Sequence, residues 1–276
     1  MTFIGAMALA GLILPGQAAN DPERAAARQA LAGRLAVMKV EAARYRLRSG
    51  PDDADRANLL PEPLLRWNNP VADEEDAALF LWVRRGRPEA AAQFFVRKEN
   101  WMHEFQSLAP RPFEARWDDQ LVWSPGAPGV RFRDLPGVPP PAATAAERSR
   151  QMRGIAGTFS GSVEFRYAGQ SRYELRLLPR PVYRYGEGGA GEAIDGAIWA
   201  FVQGTNPEIL LLIEARRAGD ADREWRYALA PMTSYAAEVM RDGQSVWKVE
   251  RQPIPTPTET GVYLFRDHVP LTGRGP

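Results

Sequence analysis

In Ala78-Leu79-Phe80-Leu81-Trp82-Val83 both alternating sets of positions are apolar, and Ile209-Leu210-Leu211-Leu212-Ile213 is apolar without a break. A strand with one face in water alternates, so these two segments predict strands covered on both faces. A helix can supply one cover. The other falls to the second half of the chain, to the linker, or to a bound apolar ligand.

The helical period appears twice. Asp21-Pro22 opens the first helix with an N-cap acid and a proline at the first helical position. Leu31, Leu35 and Met38 then recur at helical spacing. Thr144-Ala145-Ala146-Glu147 reads as a capping box, followed by a stripe of Met152, Ile155, Ala156 and Phe159. Each helix is expected to run about four turns. Strands are expected at Lys39 to Arg48 and Ser162 to Tyr167, and more clearly at Ala77 to Arg84 and Ala197 to Gln203. The latter two continue through short turns into Ala90 to Arg97 and Ile209 to Arg216, as hairpins. Trp101 to Leu108 and Trp225 to Leu229 extend the pattern, Asp242-Gly243 marks a tight turn, and Gly261 to Arg266 is a further strand.

The same order of motifs is written twice. Leu59-Leu60-Pro61-Glu62-Pro63-Leu64-Leu65-Arg66-Trp67 returns as Leu177-Leu178-Pro179-Arg180-Pro181-Val182-Tyr183-Arg184-Tyr185. Asp76-Ala77-Ala78-Leu79 is answered by Asp195-Gly196-Ala197-Ile198, and Pro88-Glu89 by Pro207-Glu208. Two related halves are the economical reading. The expected fold is α+β: two tandem similar halves, each an N-terminal helix packed on an antiparallel β-meander. The first half spans 19–123 and the second 144–251, joined by a Pro-rich linker at 124–143. A Pro/Thr-rich tail follows at 252–276. The Pro-x-Pro segments cannot be central strands, because proline donates no ladder hydrogen bond. They are expected at edges or corners.

Composition narrows the function. A net charge of +1 with interspersed acids and bases gives no pull toward nucleic acid or an anionic membrane. The absence of cysteine removes disulfides, thiolate nucleophiles and thiolate metal sites. Residues 1–18 read as a signal peptide: an apolar run from Phe3 to Leu14, then small residues in Gly16-Gln17-Ala18, with cleavage expected after Ala18. Only the terminal amine supplies positive charge before the run. The address is therefore exported, periplasmic or extracellular, with no transmembrane segment after cleavage.

Catalytic chemistry finds little to use. His103 is expected on a strand with its neighbour Glu104 on the opposite face, and His268 lies in the tail. Neither forms a metal-ligand spacing or a nucleophile triad, so no catalytic residue, metal or cofactor is assigned. Gly186-Glu187-Gly188-Gly189-Ala190-Gly191 has the composition of a phosphate loop, but a strand follows it where a helix is required. The acidic run Asp73-Glu74-Glu75-Asp76 occupies the same place in the first half and reads as a solvated charge run. Arg66-Trp67 and Arg184-Tyr185 occupy equivalent places and are the candidate binding residues. The alternative for each arginine is a stack on its aromatic neighbour or a pair with a nearby acid.

Leu-Pro-x-Pro, Arg-aromatic and then Asp195-Gly196-Ala197-Ile198-Trp199 resembles uncharacterised exported bacterial proteins, over most of the mature chain. Arg66-Trp67 with that Asp-Gly strand is also similar to the periplasmic lipoprotein-carrier family. That resemblance implies a sheet curled around an apolar cavity. The expected function is an exported non-catalytic binding or interaction protein whose partner is an unidentified protein or apolar ligand. The alternatives are a carrier of an acyl or lipoprotein ligand, and a carboxylate-based hydrolase.

Overall fold

A computed structural model describes residues 22–69, 74–97, 100–164, 172–186, 193–217, 223–254, 256 and 258–267. The proposed signal peptide, His268 and residues 187–192 of the glycine-rich loop lie outside them. The chain is mostly β, 53% strand and 17% helix, arranged as two large curled, barrel-like antiparallel sheets. This corrects the expected α+β fold of two tandem helix-on-meander halves.

The first sheet follows helix α1 (Pro22–Ala43). Its strands are β1 (Tyr45–Arg48), β2 (Arg56–Leu59), β3 (Leu65–Asn69), β4 (Glu74–Arg84), β5 (Arg87–Arg97), β6 (Asn100–Ser107), β7 (Glu114–Trp117) and β8 (Gln120–Trp123). The linker carries β9 (Arg133–Asp134). Helix α2 (Ala145–Ala156) precedes β10 (Phe159–Glu164), β11 (Tyr173–Leu177), β12 (Tyr183–Gly186), β13 (Ala193–Gln203), β14 (Asn206–Arg217), β15 (Arg223–Pro231), β16 (Ala236–Arg241) and β17 (Gln244–Val249). The tail adds β18 (Tyr263–Arg266).

The first sheet runs β18-β6-β5-β4-β2-β1-β7-β8, with β3 also on β4. The second runs β17-β16-β10-β11-β13-β14-β15-β9, with β12 also on β13. Among the described residues, only β4 to β6 and β13 to β15 are meanders. After β6 the chain crosses to the far side of β1, setting Tyr45 against Trp117, and after β15 it crosses to β10, setting Phe159 against Arg241. Local patterning marks strands and tight turns, but these crossings depend on partners distant in sequence. The first helix is also longer than expected, reaching Ala43, so that only Tyr45 to Arg48 of the expected Lys39–Arg48 strand is extended. Helix α2 opens as expected: the Thr144 side chain accepts from the Glu147 amide.

The Pro-x-Pro segments sit at corners. Leu60 N–H donates to Leu81 O at 2.9 Å and Leu64 N–H to Leu79 O at 2.7 Å, so Pro61 and Pro63 fall where β2 gives way to β3 along one edge of β4. Leu178 N–H to Ala200 O and Val182 N–H to Ile198 O do the same for β11 and β12 on β13, at 2.9 and 2.7 Å. Arg85-Gly86 and Asp242-Gly243 form two-residue turns with φ of 50° and 79°, and 49° and 79°. Both φ values are positive, as a type I′ hairpin requires.

The central strands are covered on both faces. On β4, Ala78, Phe80 and Trp82 face a core closed by Met38 and Ala42 of α1 and by Trp123 of β8. Ala77, Leu79, Leu81 and Val83 face the second sheet, meeting a layer built from Ile198, Ala200, Val202, Leu210 and Leu212. Met152, Ile155 and Ala156 of α2 close the third core, around Trp199 and Phe201. The two sheets are thus packed face to face, each curled around its own aromatic interior, with helices on the outside.

Linker and tail are both bound. Leu135 in the linker joins the second sheet's core, and Trp225 Nε1 donates to Pro139 O at 3.0 Å. The tail returns to the first sheet, where Ser107 N–H donates to Val262 O at 2.8 Å.

Candidate functional site

Arg66 and Arg184 do the same job in the two sheets. Arg66 grips Asp76 of β4 through Nε at 2.9 Å and a terminal nitrogen at 2.6 Å, and Arg34 of α1 reaches the same carboxylate at 3.2 Å. Arg184 reaches Asp195 of β13 at 3.1 Å, and Arg148 of α2 donates to its other oxygen at 2.9 Å. Each aspartate is therefore a buried junction that takes one arginine from its sheet and one from its helix. The Arg66 guanidinium is held high by the bond to Asp76. Of the expected acidic run, Glu74 and Asp76 are buried and paired, Glu74 with Arg97 at 2.9 Å.

Trp67 and Tyr185 point the other way, into the layer between the sheets. Tyr185 lies over Gly196: a Cβ added there would sit 2.4 Å from its ring, so the glycine of the Asp-Gly motif makes room for the tyrosine. Its hydroxyl donates to Glu214 at 2.9 Å. Burial, then the Glu214 charge, push the Tyr185 hydroxyl well above its ordinary pKa. The four residues expected to bind a ligand are brought together only in pairs, and the polar atoms of Arg66, Arg184 and Tyr185 are spent on contacts within the fold.

His103 is wholly buried on β6, in ring contact with Phe94 and Phe105. Its Nδ1 meets the Tyr45 hydroxyl at 2.8 Å, and that hydroxyl accepts from Arg266 at 2.6 Å. The tyrosine proton therefore points at Nδ1, which places the imidazole proton on Nε2. Burial, with the Arg266 and Arg44 cations behind it, holds the His103 pKa well below its ordinary value. A neutral imidazole sealed among rings has no route to a substrate proton.

The surface offers another arrangement. A cleft of about 380 Å³ opens between α1 and the first two strands. Tyr45, Phe80 and Trp82 form its floor, and Lys39, Arg46 and Arg56 stand around it, one each from α1, β1 and β2. Lys39 pairs with Glu62 and Arg46 with Asp119. Arg56 is exposed and has no ion-pair partner among the described residues. The pairing registers put Ser160 and Glu174 of the second sheet where the first has Arg46 and Arg56. Glu174 there pairs with Arg172, so the basic rim belongs to the first sheet. A larger cleft of about 520 Å³ lies by Arg48 and Arg116. Those arginines are engaged, Arg48 with Pro51 O and Arg116 with Glu114 and Asp119 O, so this cleft offers less free charge.

The cleft residues were not legible in the sequence because a helix end, a strand pair and a distant hairpin supply them. The local signal is the alternation of Tyr45 with Leu47, which the helix running through Lys39 to Ala43 shortens to a single four-residue strand. Among the described residues, no helix is long and apolar enough to cross a membrane. No protein-family model, curated protein or solved structure matches the chain.

Proposed function

We propose that the chain is an exported, non-catalytic binding protein whose ligand is a small organic anion held in the cleft of the first sheet. The observation that carries this is Arg56, an exposed cation with no ion-pair partner among the described residues, standing over an aromatic floor. An anion there gains a charge-assisted hydrogen bond, and an attached ring or short chain meets Tyr45 and Trp82. A non-catalytic role is supported by the sealed His103. Export is supported by the apolar run ending at Gly16-Gln17-Ala18. The acyl-carrier alternative draws less support, since Trp82, Trp123, Phe80, Phe94 and Phe105 fill the interior that a long chain would need.

Calorimetric titration with naphthoate, decanoate and inorganic phosphate tests the site. An aryl carboxylate is expected to bind more tightly than phosphate, and Arg56→Glu to weaken it at least tenfold without altering the melt. Equal binding by wild type and Arg56→Glu, or no binding at millimolar ligand, would overturn the assignment. Export is checked separately by N-terminal sequencing of protein from its host, which should begin at Ala19 or Asn20.

A further inference from the structure

The first sheet ends on β18 and β8, the second on β9 and β17. In the first, main chain closes the curl. β18 covers His103 to Gln106 of β6, and the residues before it meet the chain leaving β8: Ser124 N–H donates to Glu259 O at 2.8 Å and Gly126 N–H to Thr260 O at 3.1 Å. In the second sheet β9 stands in the place of β18. Arg133 lies opposite Tyr227 as Arg266 lies opposite His103. Leu229 is the counterpart of Phe105, since they face Leu211 and Ala92, each the third residue after its Pro-Glu pair. Yet β9 is only two residues long and pairs with Arg226 and Tyr227 alone. Before it the linker leaves β15, and Gly129 N–H donates instead to Ala109 O, just past β6, at 2.9 Å.

An edge of β15 is left open as a result. Trp225 O accepts from Leu135 N–H at 3.1 Å on the β9 side, and Met232 N–H donates to Glu208 O at 2.7 Å on the β14 side. The alternation between them turns the N–H and C=O of Leu229 to the β9 side. Among the described residues no backbone group pairs with them there, whereas Leu264 faces Phe105 in the first sheet. A narrow cleft of about 190 Å³ opens at this point, lined by Arg131 and Arg133 of the linker, Tyr227 and Leu229 of β15 and Trp247 of β17. Arg133 reaches across to Val246 O of β17, so a side chain spans the gap that main chain closes in the first sheet. Arg131 is exposed and has no ion-pair partner among the described residues. None of the lining residues is acidic.

We infer that this open edge is a peptide-binding site, which takes an extended acidic segment of a partner protein as a further strand on β15, in the place that β18 fills in the first sheet. The backbone of Leu229 supplies a donor and an acceptor to the incoming strand, and both gain by pairing. Pro231 offers only a carbonyl, so the ladder is short and side chains must add to it. A carboxylate on the segment meets Arg131 in a charge-assisted bond, and an apolar neighbour packs on Trp247. Two arginines with no acid beside them select a negative segment, and the paired N–H and C=O of one residue select a peptide over a small anion. This inference rests on the second sheet alone and does not depend on the cleft of the first sheet or its ligand.

The test is fluorescence anisotropy of a fluorescein-labelled peptide of alternating valine and aspartate, titrated with the full chain. Saturable binding at sub-millimolar protein is expected. The same peptide with every amide N-methylated keeps its charge but loses its ladder donors, and should bind at least tenfold more weakly. A lysine-for-aspartate version should not bind. Arg131→Glu should cost at least tenfold with an unaltered melt, while Arg180→Glu, the same charge change at the corner between β11 and β12, should leave binding in place. Absence of binding at millimolar protein, equal binding of the N-methylated peptide, or equal loss in Arg131→Glu and Arg180→Glu would overturn the site. Sedimentation of the chain without peptide is expected to show a monomer. A dimer that Arg131→Glu dissolves would give the edge to a second copy and overturn the partner assignment.

Discussion

Gln93 of the first sheet donates across the seam to the backbone carbonyl of Pro207 in the second, at 2.6 Å. The same amide also reaches Met232 O at 2.9 Å. The second sheet places Leu212 at the corresponding register position, opposite Ile198 as Gln93 is opposite Leu79. Gln93 therefore ties together two carbonyls that leucine could not satisfy. Gln93→Leu is expected to lower stability by about 1–3 kcal/mol, the cost of stranding buried acceptors, despite the gain in apolar surface. Urea melts check this, and a neutral or stabilising result would show that water or a shifted backbone replaces the amide.

The two aspartate junctions should respond unequally. Asp195 holds Arg148, which is almost fully buried, whereas both partners of Asp76 are about 30% exposed. Removing one member of a buried pair costs about 3–5 kcal/mol because the other charge is left behind. Asp195→Asn is expected to lose close to that, and Asp76→Asn clearly less. Comparable losses in chemical denaturation would contradict the burial argument.

Trp82 and Trp199 fill the interiors of the two sheets and are at most 2% exposed. Truncation of either to alanine should cost about 3–5 kcal/mol. Trp82 also donates to Tyr45 O at 3.2 Å, so its loss should reshape the cleft and weaken anion binding. Trp199→Ala should spare binding in conditions where the protein remains folded.

Stability should fall as pH rises from about 5 to 8. In the unfolded chain a glutamate ionises near pH 4.3, whereas Glu104 and Glu208 keep their protons to about 8 when folded. Between those limits the folded state binds more protons, so raising pH favours unfolding, by up to about 1.4 kcal/mol per pH unit for each group. The contribution levels off above pH 8, once the folded carboxyls ionise too. Denaturant melts at several pH values measure it. Glu104→Gln should flatten the profile, and an unaltered slope in that variant would assign the effect to other groups.

What could be read from the chain depended on how far apart the interacting residues lie. The doubly apolar run at Ala78–Val83 revealed burial on both faces because each residue reports its own environment. The prolines of Leu60-Pro61-Glu62-Pro63 marked a corner, since a missing amide is a local fact. Arg66 and Asp76 were visible as motif members, but Arg34, which completes the junction, lies on a helix whose packing nothing nearby encodes. Tyr263 beside Glu104 and Arg266 behind Tyr45 depend on the tail rejoining the first sheet. The path from β6 to β1, which makes a curled sheet out of an expected meander, is likewise set by pairing that no neighbouring residue records.

The strand β18 gives the molecule an assembly schedule. The second sheet has all its strands once residue 249 has been made, because its edge partner β9 precedes it in the chain. The first sheet, begun earliest, waits for Tyr263–Arg266 to cover β6. Until then His103 to Gln106 present an unsatisfied backbone edge, the kind of surface that recruits strands from other molecules. Residues made after the second sheet's strands therefore protect the first sheet. Loss of Tyr263–Arg266 alone would fall hardest on the sheet farthest from it in sequence.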